Sequence, residues 1–260
     1  MKKKLFTVAL ALIIAITAIT GASLAYLNDT DYAKNVMVTG NVKIVQNERD
    51  RDGNDFQNGQ KLLPAVYTNL SKDLEIDDAD GNKINVWGNS INNELDKFVS
   101  VTNTGTEDAY IRTIIAFETC EIYEAGTTNV VGWLHDMYLG VNTKNVKFLY
   151  LDEAKTQPMI ITVGDTRYAL AVCTYADPVA AGATTASSLR QIFLAPSAGN
   201  EFYDLIKNSQ DVREYDILCL SQAVQAEGFN TEAYGAEYAL NTAFGEVNVS
   251  NATEWFNDRA

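Results

Sequence analysis

Apolar and polar residues alternate through 35–46, with Val36, Val38, Val42 and Ile44 on one side of a period of two around Gly40. That spacing predicts a half-buried strand, with a bulge or break at the glycine. The stretch 47–59 is dense in Asp, Asn and Gly with little to bury, and reads as an exposed loop. A second acidic turn, 77–82, joins 74–76 to 83–87, and its Asp80-Gly81 step is a hairpin signal. Alternation returns at 95–102 and again at 109–118. The Asn-Thr-Gly turn between them predicts a hairpin of these two strands. Further short strands are expected at 147–151, 159–163, 168–175, 191–194 and 215–225. Helical spacing occurs in two places. Phe202, Leu205 and Ile206 predict a short helix over 201–208. Ala233, Tyr234, Ala236, Leu240 and Phe244 predict another over 231–244, closed by Gly245.

Many short strands separated by turn residues predict a mostly β chain, a jelly-roll-like antiparallel β-sandwich with a few short helices. No Pro- or Ser-rich linker divides it, so a single domain is expected over 26–260, with an N-terminal arm at 26–39.

The N-terminus changes this picture. Lys2, Lys3 and Lys4 precede an apolar run over 5–19 and the small-residue triplet Ser23, Leu24 and Ala25, the three parts of a secretory signal. Residues 1–25 are therefore expected to be a signal peptide, cut by signal peptidase between Ala25 and Tyr26. An uncleaved anchor competes with this, because 5–26 approaches the roughly 20 apolar residues of a span; Gly21, Ala22 and Ser23 favour cleavage. No stable membrane anchor is expected afterwards. Net charge is −14, and loss of the three lysines makes the mature chain more acidic still. Such a surface argues against nucleic acid as a partner and suits a secreted protein.

Candidate chemistry is sparse. Asp50, Asp52, Asp78 and Asp80 offer the oxygen ligands that calcium prefers, but neither acidic loop has EF-hand spacing. No cofactor is expected; calcium at these aspartates is the weak alternative, with solvated turns as the plainer explanation. His135 is the single histidine, so H-E-x-x-H zinc chemistry and a serine triad lack their usual parts. It reads as a surface or satisfied structural residue. Cys120, Cys173 and Cys219 lie in apolar runs and read as buried small residues with at most one bridge among them.

The junction after the signal, with Tyr26, Asn28, Asp29, Thr30, Asn35, Gly40 and Asn41, resembles the exported TasA and camelysin group, whose signals are removed by a SipW-type peptidase. The segments 98–118 and 215–229 look like members of the same class. The resemblance implies a jelly-roll subunit of a biofilm matrix or cell surface. In such fibres an N-terminal arm completes the sheet of a neighbouring copy. The arm would comprise Tyr26, Leu27, Asn28, Asp29, Thr30, Asn35, Val36 and Val38, with self-association into filaments as the expected partnership. A camelysin-like secreted metallopeptidase and a monomeric surface-binding module are the alternatives. The first would need carboxylates around His135, and the second would keep the arm in its own sheet.

Overall fold

A computed structural model describes residues 28–31, 42–56, 60, 62, 64, 73–77, 83–87, 95–195, 198–206, 214–229 and 234–257. Asn28–Asp31 forms β1, Ile44–Arg49 forms β2, and Asp73–Asp77 with Lys83–Trp87 forms the antiparallel pair β3–β4. Leu95–Asp96 (β5) and Phe98–Asn103 (β6) precede β7, Ala109–Glu118. Next come β8 (Glu121–Tyr123), β9 (Val130–Trp133), a single-turn helix α1 (Leu134–Met137), β10 (Leu139–Thr143) and β11 (Val146–Phe148). The chain continues through β12 (Ile160–Val163), β13 (Thr166–Thr174), β14 (Leu189–Leu194), α2 (Asn200–Leu205) and β15 (Ile217–Gln225). Two helices, α3 (Ala236–Phe244) and α4 (Val249–Asn257), follow.

The chain is mostly β, and every strand pair is antiparallel. The principal sheet has the order β1-β15-β7-β13-β11, with β12 also on β13. Its centre is β7, AYIRTIIAFE, buried along its whole length except for Glu118. The strand is nearly continuous in apolar residues because both of its faces are covered. Ile115 and Phe117 pack against Val99, Leu139, Leu189, Ile192 and Leu194 of the facing strands. Ile114 and Ala116 meet Ala252 and Phe256 of α4, while Tyr110 meets Ala236, Ala239 and Leu240 of α3. Each such Ile or Phe contributes about 1.5–3 kcal/mol by leaving water.

The facing layer consists of β2–β6 and β10–β14–β5. Backbone bonds from Lys97 N to Arg190 O (2.9 Å), Ser188 N to Val99 O (2.8 Å) and Thr185 N to Val101 O (2.9 Å) join the two groups. Lys97 is buried in this layer, ion-paired to Glu48 and 4.6 Å from the centre of the Phe56 ring. Burial works against its charge, but Glu48, together with Cys219 and Asp216, outweighs that and holds its pKa above the ordinary lysine value.

Several sequence expectations change. The predicted hairpin of 95–102 with 109–118 does not form: β6 pairs with β2, and β7 pairs with β13 and β15. Residues 104–108 instead carry the chain from one layer to the other. The strand expected over 35–46 is described from Ile44 and runs on to Arg49, into the expected loop, because distant partners satisfy its polar end. Asn47 Nδ2 donates to Thr102 Oγ1 at 2.9 Å, and Glu48 takes Lys97. Tyr234 is exposed rather than inward-facing, since it precedes Gly235, the residue that caps α3. Leu205 is also exposed, whereas Phe202 and Ile206 are buried as expected. Among the described residues no helix is long and apolar enough to cross a membrane; the expected signal, 1–25, lies outside them.

Candidate functional site: the arm strand and its sheet edge

The strand β15, ILCLSQAVQ, is paired on one side with β7 along its whole length. Its other side would leave a row of backbone N–H and C=O groups without a ladder, which is what an added strand satisfies. Here β1 covers four residues of that edge. Asn28 lies opposite Val224, Asp29 opposite Ala223, Thr30 opposite Gln222 and Asp31 opposite Ser221. Residues 28–31 of the expected arm thus form a strand in the chain's own sheet. Ala25, Tyr26, Leu27, Asn35, Val36 and Val38 lie outside the described residues. A four-residue ladder at about 0.5–1.5 kcal/mol net per hydrogen bond is a modest tether.

Beneath this edge a polar line crosses the space between the layers. Ser221 Oγ donates to Gln46 Oε1 at 2.7 Å and lies 3.0 Å from Thr113 Oγ1. Gln46 Nε2 donates to Glu48 Oε1 at 2.8 Å, which leads on to Lys97. On the other face Val224 packs with Tyr110 and with Ala236, Ala239 and Leu240 of α3.

Of the cation candidates, Asp50 and Asp52 are described and share one turn. Asp50 accepts the backbone N–H groups of Asp52 and Asn54, both at 2.9 Å, and the Asn54 side-chain amide, also at 2.9 Å. Its carboxyl is held below the usual range chiefly by that amide. The loop is a side-chain-stabilised turn with Gly53 at φ 81°. Asp52 is on the same turn, while Asp78 and Asp80 lie outside the described residues. Among the described residues no group of three or more His, Cys, Asp or Glu is placed to hold a metal ion. A second turn of this kind, on Asp152, was missed in the sequence: its carboxylate accepts from Thr156 N at 2.8 Å and from the Thr156 hydroxyl.

His135 is buried, not on the surface. Its Nδ1 shares a hydrogen bond with Thr119 Oγ1 at 2.8 Å, and the ring stacks on Phe148 with centroids 5.6 Å apart. Nε2 is 3.5 Å from Asp136 Oδ1 and makes no hydrogen bond. Burial lowers its pKa below 6.5, partly opposed by Asp136. The three cysteines are all free thiols, and burial pushes that of Cys173 up to about 11.

Two exposed features carry no motif and were not legible in the sequence. At the Glu118 end of β7, a groove of about 510 Å³ is lined by Val130, Trp133, Leu151, Pro158, Ile160 and Val249. Arg167 stands 5.6 Å from the Trp133 ring, its two guanidinium nitrogens 3.2 and 2.7 Å from the Glu121 carboxylate. At the opposite end, Phe229, Tyr234 and Tyr238 cluster before and on the first turn of α3, with the Tyr234 and Tyr238 ring centroids 4.5 Å apart. Comparison with family models, curated proteins and solved structures finds no match to this chain.

Proposed function

We propose that this protein is a secreted structural subunit of an extracellular matrix or cell surface, built on a jelly-roll-like sandwich, that assembles into fibres by donating its N-terminal strand to the next copy. The observation that carries this reading is the pairing of β1 along the outer edge of β15. An arm that can complete its own sheet can complete an identical sheet with the same ladder, and a contact that passes from copy to copy without closing grows into a filament. The likeness of the segment following Ala25 to the TasA and camelysin group supports the same reading. Signal removal would leave Tyr26 as a free end, two residues from the start of β1.

The same pairing also supports a second reading, in which β1 stays at home and the protein acts as a monomeric surface-binding module. Deleting residues 26–34 from the processed chain separates the two. Electron microscopy and sedimentation at equal protein concentration are expected to show filaments for the intact chain and none for the deletion. Filaments of equal abundance from both would overturn strand donation. Chelator-sensitive cleavage of casein by the purified protein would overturn the purely structural role in favour of a peptidase.

A further inference from the structure

The β1–β15 ladder needs something to fix its register. Sliding a strand by one residue exchanges its two faces, whereas sliding it by two leaves every side chain on the face it had. In Asn28, Asp29, Thr30 and Asp31 the second and fourth residues are identical. A two-residue slide therefore puts Asp29 opposite Ser221 in place of Asp31. A short polar strand of this kind specifies its own register weakly, so the discrimination has to come from the edge it lies on.

The hydrogen-bond phase of β15 shows where. Glu118 N donates to Asp216 O at 3.1 Å, and Ala226 N donates to Asp108 O at 2.9 Å. Bonded and non-bonded positions alternate along an antiparallel pair. The even-numbered residues of β15 thus turn their backbone groups to β7, while Ile217, Cys219, Ser221, Ala223 and Gln225 turn theirs to the outer edge. β1 meets two of these, with Asp29 opposite Ala223 and Asp31 opposite Ser221. Next along the edge is Cys219, whose carbonyl accepts a hydrogen bond from Gln46 Nε2 of β2 at 3.3 Å.

Both ends of the Gln46 amide are held. Oε1 accepts the Ser221 hydroxyl at 2.7 Å, and Nε2 also donates to Glu48 Oε1 at 2.8 Å, Glu48 being ion-paired to Lys97. Gln46 is only 6% exposed, so an N–H displaced from Cys219 O would be left buried without an acceptor. We propose that Gln46 sets the register of the arm. It is a positioning residue, holding the backbone acceptor that a strand slid by two residues toward Ile217 would need for the N–H of Asp31. In the other direction β15 ends at Gln225, and a slid strand would place Asn28 opposite Ala226, beyond the strand. As a device of assembly this rests on the strand-donation reading, since a donated arm meets the same edge; as the register of β1 in its own sheet it does not.

Disulfide trapping in the processed chain with Cys120→Ser reads the register directly. Asp29→Cys with Ala223→Cys reports the observed register. Asp31→Cys alone reports the slid one, in which it faces the native Cys219; in the observed register positions 31 and 219 are diagonal neighbours, about 7–8 Å apart and beyond disulfide reach. After oxidation at high dilution and mass analysis of the monomer, the chain with Gln46 intact is expected to close only the first pair. With Gln46→Met, closure of the first pair should fall by about half, as two registers of similar energy share the arm, and the Asp31→Cys chain should bond to Cys219. Gln46→Glu, which keeps an acceptor for Ser221 but has no N–H to donate, should show the same shift. A slid cross-link with Gln46 in place, or undiminished closure of the first pair with no slid cross-link in either variant, would overturn the proposal. So would loss of both cross-links in both variants, because Gln46 would then hold β1 in place without choosing between registers. Deletion of 26–34 keeps the two failures apart. Filaments that survive the deletion remove strand donation and leave the register result standing, because it is read within one chain. A failed register test, with filaments lost on deletion, removes the role of Gln46 and leaves donation standing.

Discussion

His135 links burial to pH at the scale of one side chain. Its ring is enclosed between Thr119 and Phe148, and the folded protein resists protonating it. Below pH 6.5 the unfolded chain binds a proton that the folded chain does not, so stability is complete above that pH and declines as pH falls toward the depressed folded value. The decline is at most about 1.4 kcal/mol per pH unit for one group. Urea midpoints measured from pH 7.5 to 5.5 should drop for the wild type, and His135→Leu should flatten the dependence whatever its cost in absolute stability. An unchanged slope in the variant would show that other groups carry it. Asp50 and Asp152 have lowered carboxyl pKa values, so their contribution is lost only below about pH 4, a separate window. Being the only histidine made this residue easy to pick out in the sequence, but its burial was not legible, because Phe148 comes from β11 and no local pattern ties the two.

Elements were read well where their partners are close in sequence and poorly where the partner is remote. The β3–β4 pair was legible from its Asp-Gly turn. The step from β6 to β7 was mistaken for a hairpin, since alternating strands joined by a short turn look alike whether the turn stays in one sheet or crosses between layers. The last helix, α4, was missed because its sequence is polar overall; Ala252 and Phe256, four residues apart, anchor it to the outer face of the principal sheet. What ties both C-terminal helices to that sheet is Arg112 of β7. Its Nε donates to Gln222 Oε1 at 2.7 Å, Nη1 to Asn241 Oδ1 at 2.8 Å and Nη2 to Gly245 O at 2.9 Å, and the guanidinium sits 5.3 Å from the Trp255 ring. Burial pulls its pKa down to about 10, with Glu237 working the other way. Arg112→Met keeps the apolar stem but strands the buried Gln222 acceptor, at about 1–3 kcal/mol, and removes the bonds to the half-buried Asn241 and Gly245. The variant should lose about 3 kcal/mol in equilibrium unfolding, and amides of α3 and α4 should lose hydrogen-exchange protection before those of β7. Equal protection of helices and sheet would mean that Arg112 does not hold the layers together.

At the scale of the whole molecule, 26–39 was read as an arm because it follows the expected signal, but the seat of 28–31 on β15 was not legible, because the paired strands are remote in sequence and no local pattern links them. This seat makes closed and exchanged subunits chemically identical at the sheet edge, so the proposed assembly depends on β1 being able to leave. The Cα register supplies a lock: Asp29 and Ala223 are paired across β1 and β15, at a separation of about 4.5–5.5 Å for antiparallel partners, within disulfide reach. Asp29→Cys with Ala223→Cys, in a background where the half-buried Cys120 is replaced by serine, would cross-link β1 to its own sheet, and the buried Cys173 and Cys219 are shielded from exchange. Oxidised under dilute conditions, this protein should remain monomeric in sedimentation at concentrations where wild type forms filaments, and reduction should restore assembly. Filaments from the oxidised form would show that copies associate without releasing β1, removing strand exchange from the mechanism.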